Sequence, residues 1–270
     1  MTRVVLACLL SFLVTAASAQ APSPPAKSAA AKAKPVTKPK AAAKPTDQAS
    51  AGPCQIGVIP LTGNEFGVQQ VGFTAFGNEY MPVPVDSWGL DDLVVSRVRA
   101  AAGGRSVRRI AYAKDDLARM KESHSIFRDR DAEAREFVQR SAGKAGCERY
   151  LLIHKSGSQF SNTNQSVNGY GIVKWGHPLS QRVFLFALTF IRVYDGQTFE
   201  MIRRGNATLD DGPTISRVLM GTTIRGPNRE IEDKSFPASA TEAASNPAYR
   251  DGVRALLASS LDRTLPEMLK

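Results

Sequence analysis

The sequence predicts an α/β domain with an α+β tendency: a mixed sheet with parallel strands near the N-terminus, an antiparallel C-terminal strand pair, and flanking helices. Three observations predict it. Short apolar runs at 55–61, 106–113 and 149–154 alternate with stretches of helical periodicity, the order that builds parallel strands joined by crossovers. The run RVFLFALTFIRVYDGQTFEMIRR reads as strand, tight turn and returning strand. The C-terminal stretch opens on Asn246-Pro247 and sets Val253, Leu256, Leu257, Leu261, Leu265 and Leu269 on one helical face.

Taken in order, Gln55–Leu61 (QIGVIPL) is a short apolar run bounded by Gly52-Pro53 and Thr62-Gly63-Asn64, so it is expected as a buried strand. Phe66–Phe76 is rich in β-branched and aromatic residues and is expected to pair back on it as a hairpin across the TGNE turn. Pro82 and Pro84 are then expected to stop any regular ladder. Asp86-Ser87 can cap a helix over 88–102, whose apolar positions are Trp88, Leu90, Leu93, Val94, Val98 and Ala101; Gly103-Gly104 closes it. Residues 106–113 form a second candidate parallel strand. A charged helical stretch spans 115–144, with its second half at 130–142 placing Ala134, Phe137, Val138 and Ser141 on one face. Arg149–His154 is the next strand.

The run from Arg182 to Asp195 is apolar on both faces and is therefore expected as one central strand covered on each side. Phe199–Ala207 returns beside it. Residues 209–246 are rich in Gly, Pro, Asn, Ser and charge and read as a loop or lid that can hold a short helix. Residues 54–270 are expected to fold as a single α/β domain, with a flap at 160–181.

The N-terminus has the form of a secretory leader: Arg3, an apolar run from Val4 to Ala17, and Ala17-x-Ala19 before Gln20, with cleavage expected after Ala19. The run holds about 14 residues, short of the roughly 20 that cross a bilayer, so an uncleaved anchor is the alternative. Val5-Leu6-Ala7-Cys8 resembles a lipoprotein cleavage box, but the apolar region continues past Cys8, which argues against lipidation there. Periplasmic or secreted placement follows. Residues 20–53 are almost wholly Ala, Lys, Pro and Ser, too poor in apolar surface to offset the entropy of ordering, and are expected to be disordered.

The formal charge is +10. Arg3 carries one, the tail six lysines against Asp47, and residues 54–270 the remaining four. The domain itself is thus only mildly basic, and no helix-turn-helix, zinc-finger or RRM pattern accompanies it, which disfavours nucleic acid as a partner. The tail reads either as a solvated spacer or as a polycation that meets an anionic envelope surface or an envelope protein.

Cys54 and Cys147 are the two cysteines beyond the leader, and each lies just before a buried strand (CQIGVIPL and CERYLLIH). If those strands are parallel neighbours, about 4.8 Å apart, the two cysteines share one edge and can form a disulfide. Closing that loop would stabilise the fold by roughly 4 kcal/mol. The alternative is two unpaired buried thiols.

The stretch NQSVNGYGIVKWGHPLSQ (164–181) looks most like a site. Gly169-Tyr-Gly171-Ile-Val-Lys174 approaches G-x-G-x-x-G but has lysine in the third place and no helix behind it, so a phosphate has no N-terminus to meet. His177, His124 and His154 share no ligand spacing, and no metal or cofactor is expected. Ser141-Ala-Gly-Lys144 matches S-x-x-K without its companion motifs. Asp86, Asp91, Asp92, Asp210 and Asp211 fall at caps and turns. What the stretch does offer is Tyr170, Lys174, Trp175 and His177 as candidate partner contacts on a Gly-hinged flap, or as side chains folded back on the domain.

The order of elements resembles the fold shared by the TolB N-terminal domain, the curli secretion lipoprotein and related envelope lipoproteins. The residues that carry it are IGVIPL (56–61), KAGCERYLLI (144–153) and FALTFIRVYDGQTFEMIRR (186–204). This chain departs from the pattern in having Phe199 after Thr198, where that group has glycine, and Cys147 where an acidic residue is common. The resemblance implies a non-catalytic accessory role in the cell envelope and transfers no functional residue. Two rivals stand beside it: an envelope hydrolase assembled from Asp86, His177 and the 209–246 loop, and a component that self-associates through strand edges.

Overall fold

A computed structural model describes residues 53–63, 65–72, 78–113, 115–116, 129–143, 145–160, 165–177, 180–209 and 224–270. The leader, almost all of the tail, His124, Lys144, Asp210, Asp211 and the 210–223 part of the long loop lie outside the described residues.

The chain runs β1 (Cys54–Leu61), β2 (Glu65–Val71), β3 (Glu79–Pro84), α1 (Leu90–Ala101), β4 (Val107–Arg109), α2 (Arg130–Ala142), β5 (Cys147–Lys155), β6 (Gly157–Gln159), β7 (Ser166–Asn168), β8 (Tyr170–His177), β9 (Ser180–Ala187), β10 (Thr189–Asp195), β11 (Met201–Asn206), β12 (Asn228–Ile231), α3 (Ala240–Ser245) and α4 (Pro247–Met268). Sheet one has the order β11-β10-β5-β1-β4 and sheet two β12-β9-β8-β2-β3, with β6 and β7 as a separate pair. The α/β class with mixed sheets is as the sequence predicts: β1 is parallel to both β4 and β5, while β10 and β11 are antiparallel.

The layers follow from which faces are apolar. β1 is buried along almost its whole length because helices cover both faces of sheet one. On one side Ile56, Val58, Leu151, Ile153, Ile191 and Val193 share a core with α1, α4 and one face of sheet two, including Phe66, Val68, Ile172, Val183 and Leu185. On the other, Ile59, Tyr150, Leu152 and Tyr194 pack against Ala134, Phe137, Val138 and Ala142 of α2. The outer face of sheet two, with Val173, Phe184 and Phe186, is closed by Phe160, Val167 and Ile224. Every apolar position predicted for the C-terminal helix is buried.

Helix ends have local causes. The Asp129 carboxylate accepts from the backbone N–H groups of Asp131 and Ala132 and so starts α2. Asn246 accepts from Ala248 N–H, with Pro247 at the first turn of α4. The other end of α4 is met by three arginines: Arg105 and Arg149 donate to the Leu269 carbonyl at 3.0 and 3.3 Å, and Arg203 donates to that of Glu267 at 2.7 Å. These cations face the partial negative charge of a helix C-terminus.

Four expectations are corrected. β1 and β2 are not a hairpin: β1 pairs only in sheet one, and the chain swings into sheet two at Thr62-Gly63, where φ of Gly63 is 71°. Asp91 holds that turn, accepting from Thr62 N–H, Thr62 hydroxyl and Gly63 N–H at 3.0, 2.6 and 3.1 Å. Second, Pro82 and Pro84 lie within β3, paired with Gly67 and Glu65; β3 is an edge strand, where a residue lacking N–H is tolerated. Third, the cap of α1 is Gly89, not Asp86-Ser87, which begin a short 3-10 turn. Fourth, Arg182–Asp195 is two strands in different sheets. The chain turns at Leu188, whose N–H donates to Gly169 carbonyl and whose carbonyl accepts from Ser156 N–H. Both faces are apolar, as read, because the segment lies within two sheets in succession, each covered on both sides.

Candidate functional site

The predicted sites disperse. Cys54 and Cys147 are register partners on β1 and β5 and form a disulfide. Gly57 beside it makes room: a side chain there would sit 2.6 Å from the Tyr150 ring, and Tyr150 hydroxyl accepts from Cys147 N–H.

The described part of the expected 160–181 flap holds β7, β8 and the start of β9, with β8 in the interior of sheet two between β2 and β9. Tyr170 is 1% exposed, its hydroxyl 3.2 Å from that of Thr189, and burial raises its pKa. It is a core residue and offers nothing to a partner. Lys174 is committed to Asp233 at 2.9 Å and lies over the Phe236 ring. Trp175 is half-buried, edge-on to Phe160 with ring centroids 5.8 Å apart. His177 ends β8 opposite Ser180; its side chain lies outside what is described. Of the glycines read as hinges, Gly171 serves close packing instead: a side chain there would collide with the Gly67 carbonyl and the Phe186 ring.

Asp86 and His177 belong to opposite ends of sheet two. Asp86 follows Pro84, which pairs with Glu65, whereas His177 follows Trp175, which pairs with Val71. The stretch of β2 between those register points alone spans about 20 Å, too far for an acid and base acting on one bond.

A cluster that the sequence reading missed lies on the α2 face of sheet one, at the end remote from the disulfide. Arg192 on β10 is 8% exposed. It pairs with Leu152 of β5 and Arg204 of β11 across the sheet, and α2 brings Asp131 over it. Arg192 donates one N–H to His154 Nε2 and another to Asp131 Oδ1 at 3.1 Å, while Arg204 donates to Asp131 Oδ2. The Arg192 guanidinium also lies over the Phe190 ring, 4.7 Å from its centroid.

His154 Nδ1–H faces the Lys155 carbonyl at 2.7 Å, so both ring nitrogens are engaged. Burial, then the Arg192 charge, push its pKa down to about 4. The ring is neutral at pH 7 and has no free lone pair for general-base work. Partial burial acts upward on the Asp131 carboxyl, but the hydrogen bonds and charges of Arg192 and Arg204 outweigh it and hold the pKa below the ordinary value. Tyr194, two residues along the same strand face, is 1% exposed; burial raises its pKa to about 12, with Arg192 opposing. The signal available in the sequence was the alternation of Phe190, Arg192 and Tyr194 in a strand otherwise apolar on that face.

No protein-family model matches the chain, and no curated protein matches it. Among solved structures it is similar to PelC from Paraburkholderia phytofirmans, described as a dodecamer, at 10% identity over 80% of this chain and 93% of that one, TM-score 0.30. It is also similar to a DUF330 protein from Xanthomonas campestris, at 10% identity over 82% and 86%, TM-score 0.31. A hypothetical protein from Chlamydia trachomatis matches at 8% identity over 81% and 94%, TM-score 0.31.

Proposed function

We propose that the chain is exported and serves as a non-catalytic binding or accessory module of the cell envelope. The observation that carries this reading is the Cys54–Cys147 disulfide, which joins register partners inside sheet one. Disulfides persist in oxidising compartments and are rare where thiols are kept reduced. The leader-like N-terminus and the Lys/Pro-rich stretch after it agree with delivery to such a compartment and with a tether to anionic envelope material. Among the described residues no helix is long and apolar enough to cross a membrane.

The buried polar cluster supports binding over hydrolysis, because its histidine is neutral with both nitrogens occupied. Self-association through strand edges finds less support. β3 carries two prolines, β4 and β12 have three and four residues, and β11 carries Arg203 and Arg204, all features that blunt edge pairing.

The test is fractionation of cells expressing the full chain, with alkylation of free thiols before lysis. The expected result is processed protein in the periplasm with both cysteines protected until reduction. Full-length, fully alkylated protein in the cytoplasm would overturn the reading. Crosslinked pull-down from envelope fractions, with and without residues 20–53, then tests for a partner.

A further inference from the structure

The polar end of sheet one sets two arginines against the first turn of α2. Arg192 and Arg204 divide one carboxylate, that of Asp131. His154 accepts a hydrogen bond from Arg192 and, being neutral, brings no negative charge. A guanidinium as buried as Arg192 is costly unless its charge and its N–H groups are met. Its Nε–H has no acceptor, and neither has the buried hydroxyl of Tyr194. Tyr194 follows Arg192 by two positions on β10 and so lies on the same strand face. Two neighbouring buried donors without acceptors, beside a shared carboxylate, are an arrangement that calls for a negatively charged acceptor.

We propose that Arg192 Nε–H and Tyr194 O–H form a binding site for a carboxylate group, contributed by a small free acid or by an acidic residue of a partner protein. A metal cation is disfavoured because both open groups donate and the neighbours are arginines. A phosphate dianion is disfavoured because Asp131, bound to the same guanidinium, repels a second full charge. The two oxygens of a carboxylate match one donor each. This deepens the binding-module reading and rests on it only for what bears the carboxylate. The site is tested in purified protein and export in cells, so either can fail alone.

The experiment is a titration of ¹⁵N-labelled protein, residues 20–270, with sodium acetate against sodium chloride at matched ionic strength and pH 7, following the arginine Nε–Hε resonances. A parallel arm uses the blocked peptide acetyl-Gly-Asp-Gly-amide. The expected result is one arginine signal, absent in Arg192→Lys, that shifts saturably with carboxylate and not with chloride. Tyr194→Phe, which keeps the ring and the fold as judged by its amide spectrum, should weaken that binding about tenfold. Tighter binding of the peptide assigns the carboxylate to a partner protein, and tighter binding of acetate assigns it to a free acid. A signal that never saturates, or a response unchanged in Tyr194→Phe, overturns the proposal and leaves water as the acceptor.

Discussion

The two ends of the α2 face of sheet one are held by different physics. At one end β1 and β5 are joined covalently by Cys54–Cys147, with Tyr150 hydroxyl on the Cys147 N–H and Gly196 N–H on the Glu148 carbonyl. At the other, β5, β10, β11 and α2 meet through Arg192, His154, Arg204 and Asp131. A single helix, α2, spans both: Asp131 lies in its first turn and Ala142 at its last residue, in the cluster that contains the cysteines. The first end needs two residues and one register to form. The second needs four elements in place at once, and its strength depends on pH. The contrast separates an end held by a covalent bond from an end held by charge and hydrogen bonds.

The contrast predicts a graded response. Reduction of the disulfide, or Cys54→Ser with Cys147→Ser, should lower stability by roughly 4 kcal/mol, read as a fall in the urea midpoint; an unchanged midpoint would mean the covalent end contributes nothing. The polar end should respond to pH instead. His154 has a folded-state pKa of about 4 against an ordinary 6.5, so between those values the unfolded chain takes up a proton that the folded one refuses. Its contribution is complete above about pH 6.5 and is lost as pH falls toward 4, amounting to about 3 kcal/mol. Urea melts across that window should show the slope, and His154→Gln should flatten it. If the variant keeps the full slope, another group is responsible.

Smaller effects should sharpen the same picture. Asp129→Ala removes the cap that starts α2 at the polar end and should cost about 1 kcal/mol, with hydrogen-exchange protection lost first in the amides of Asp131 and Ala132. Near the covalent end, Phe199 has a φ of 57°, a region a bulky residue rarely adopts, and its ring stacks on Tyr150 at 5.6 Å. Phe199→Ala loses the stack and keeps the strain, whereas Phe199→Gly loses both. Glycine should therefore be the more stable of the two by about 1 kcal/mol. Equal melting temperatures would show that the turn is not strained.

Much of this fold was legible because it is written in local pattern. α2 spans the predicted 130–142, β5 contains the predicted 149–154, and the leucines of α4 are buried as their spacing requires. The cysteines were legible for the same reason, since each sits at the start of a strand and parallel neighbours align their starts. The flap was misread because Gly169, Gly171 and Gly176 suggest a loop by composition, yet Gly171 is there to let β2 and Phe186 approach β8. Arg192 could not have been found by motif, because its partners come from positions 131, 154 and 204, with no fixed spacing among them.

By itself, then, the sequence determined the α/β class, the individual helices and most strands, and the disulfide pairing as an alternative to free thiols. These depend on periodicities and end signals a few residues long, which act before any distant segment is in contact. Only the tertiary structure decided that the strands divide between two sheets, that Leu188 is the corner between them, and that Tyr170 is core. It alone gathered Arg192, His154, Asp131 and Arg204 into one polar site. Such outcomes depend on which apolar faces find cover and on charges brought together by burial, and neither is set by any one segment of the chain.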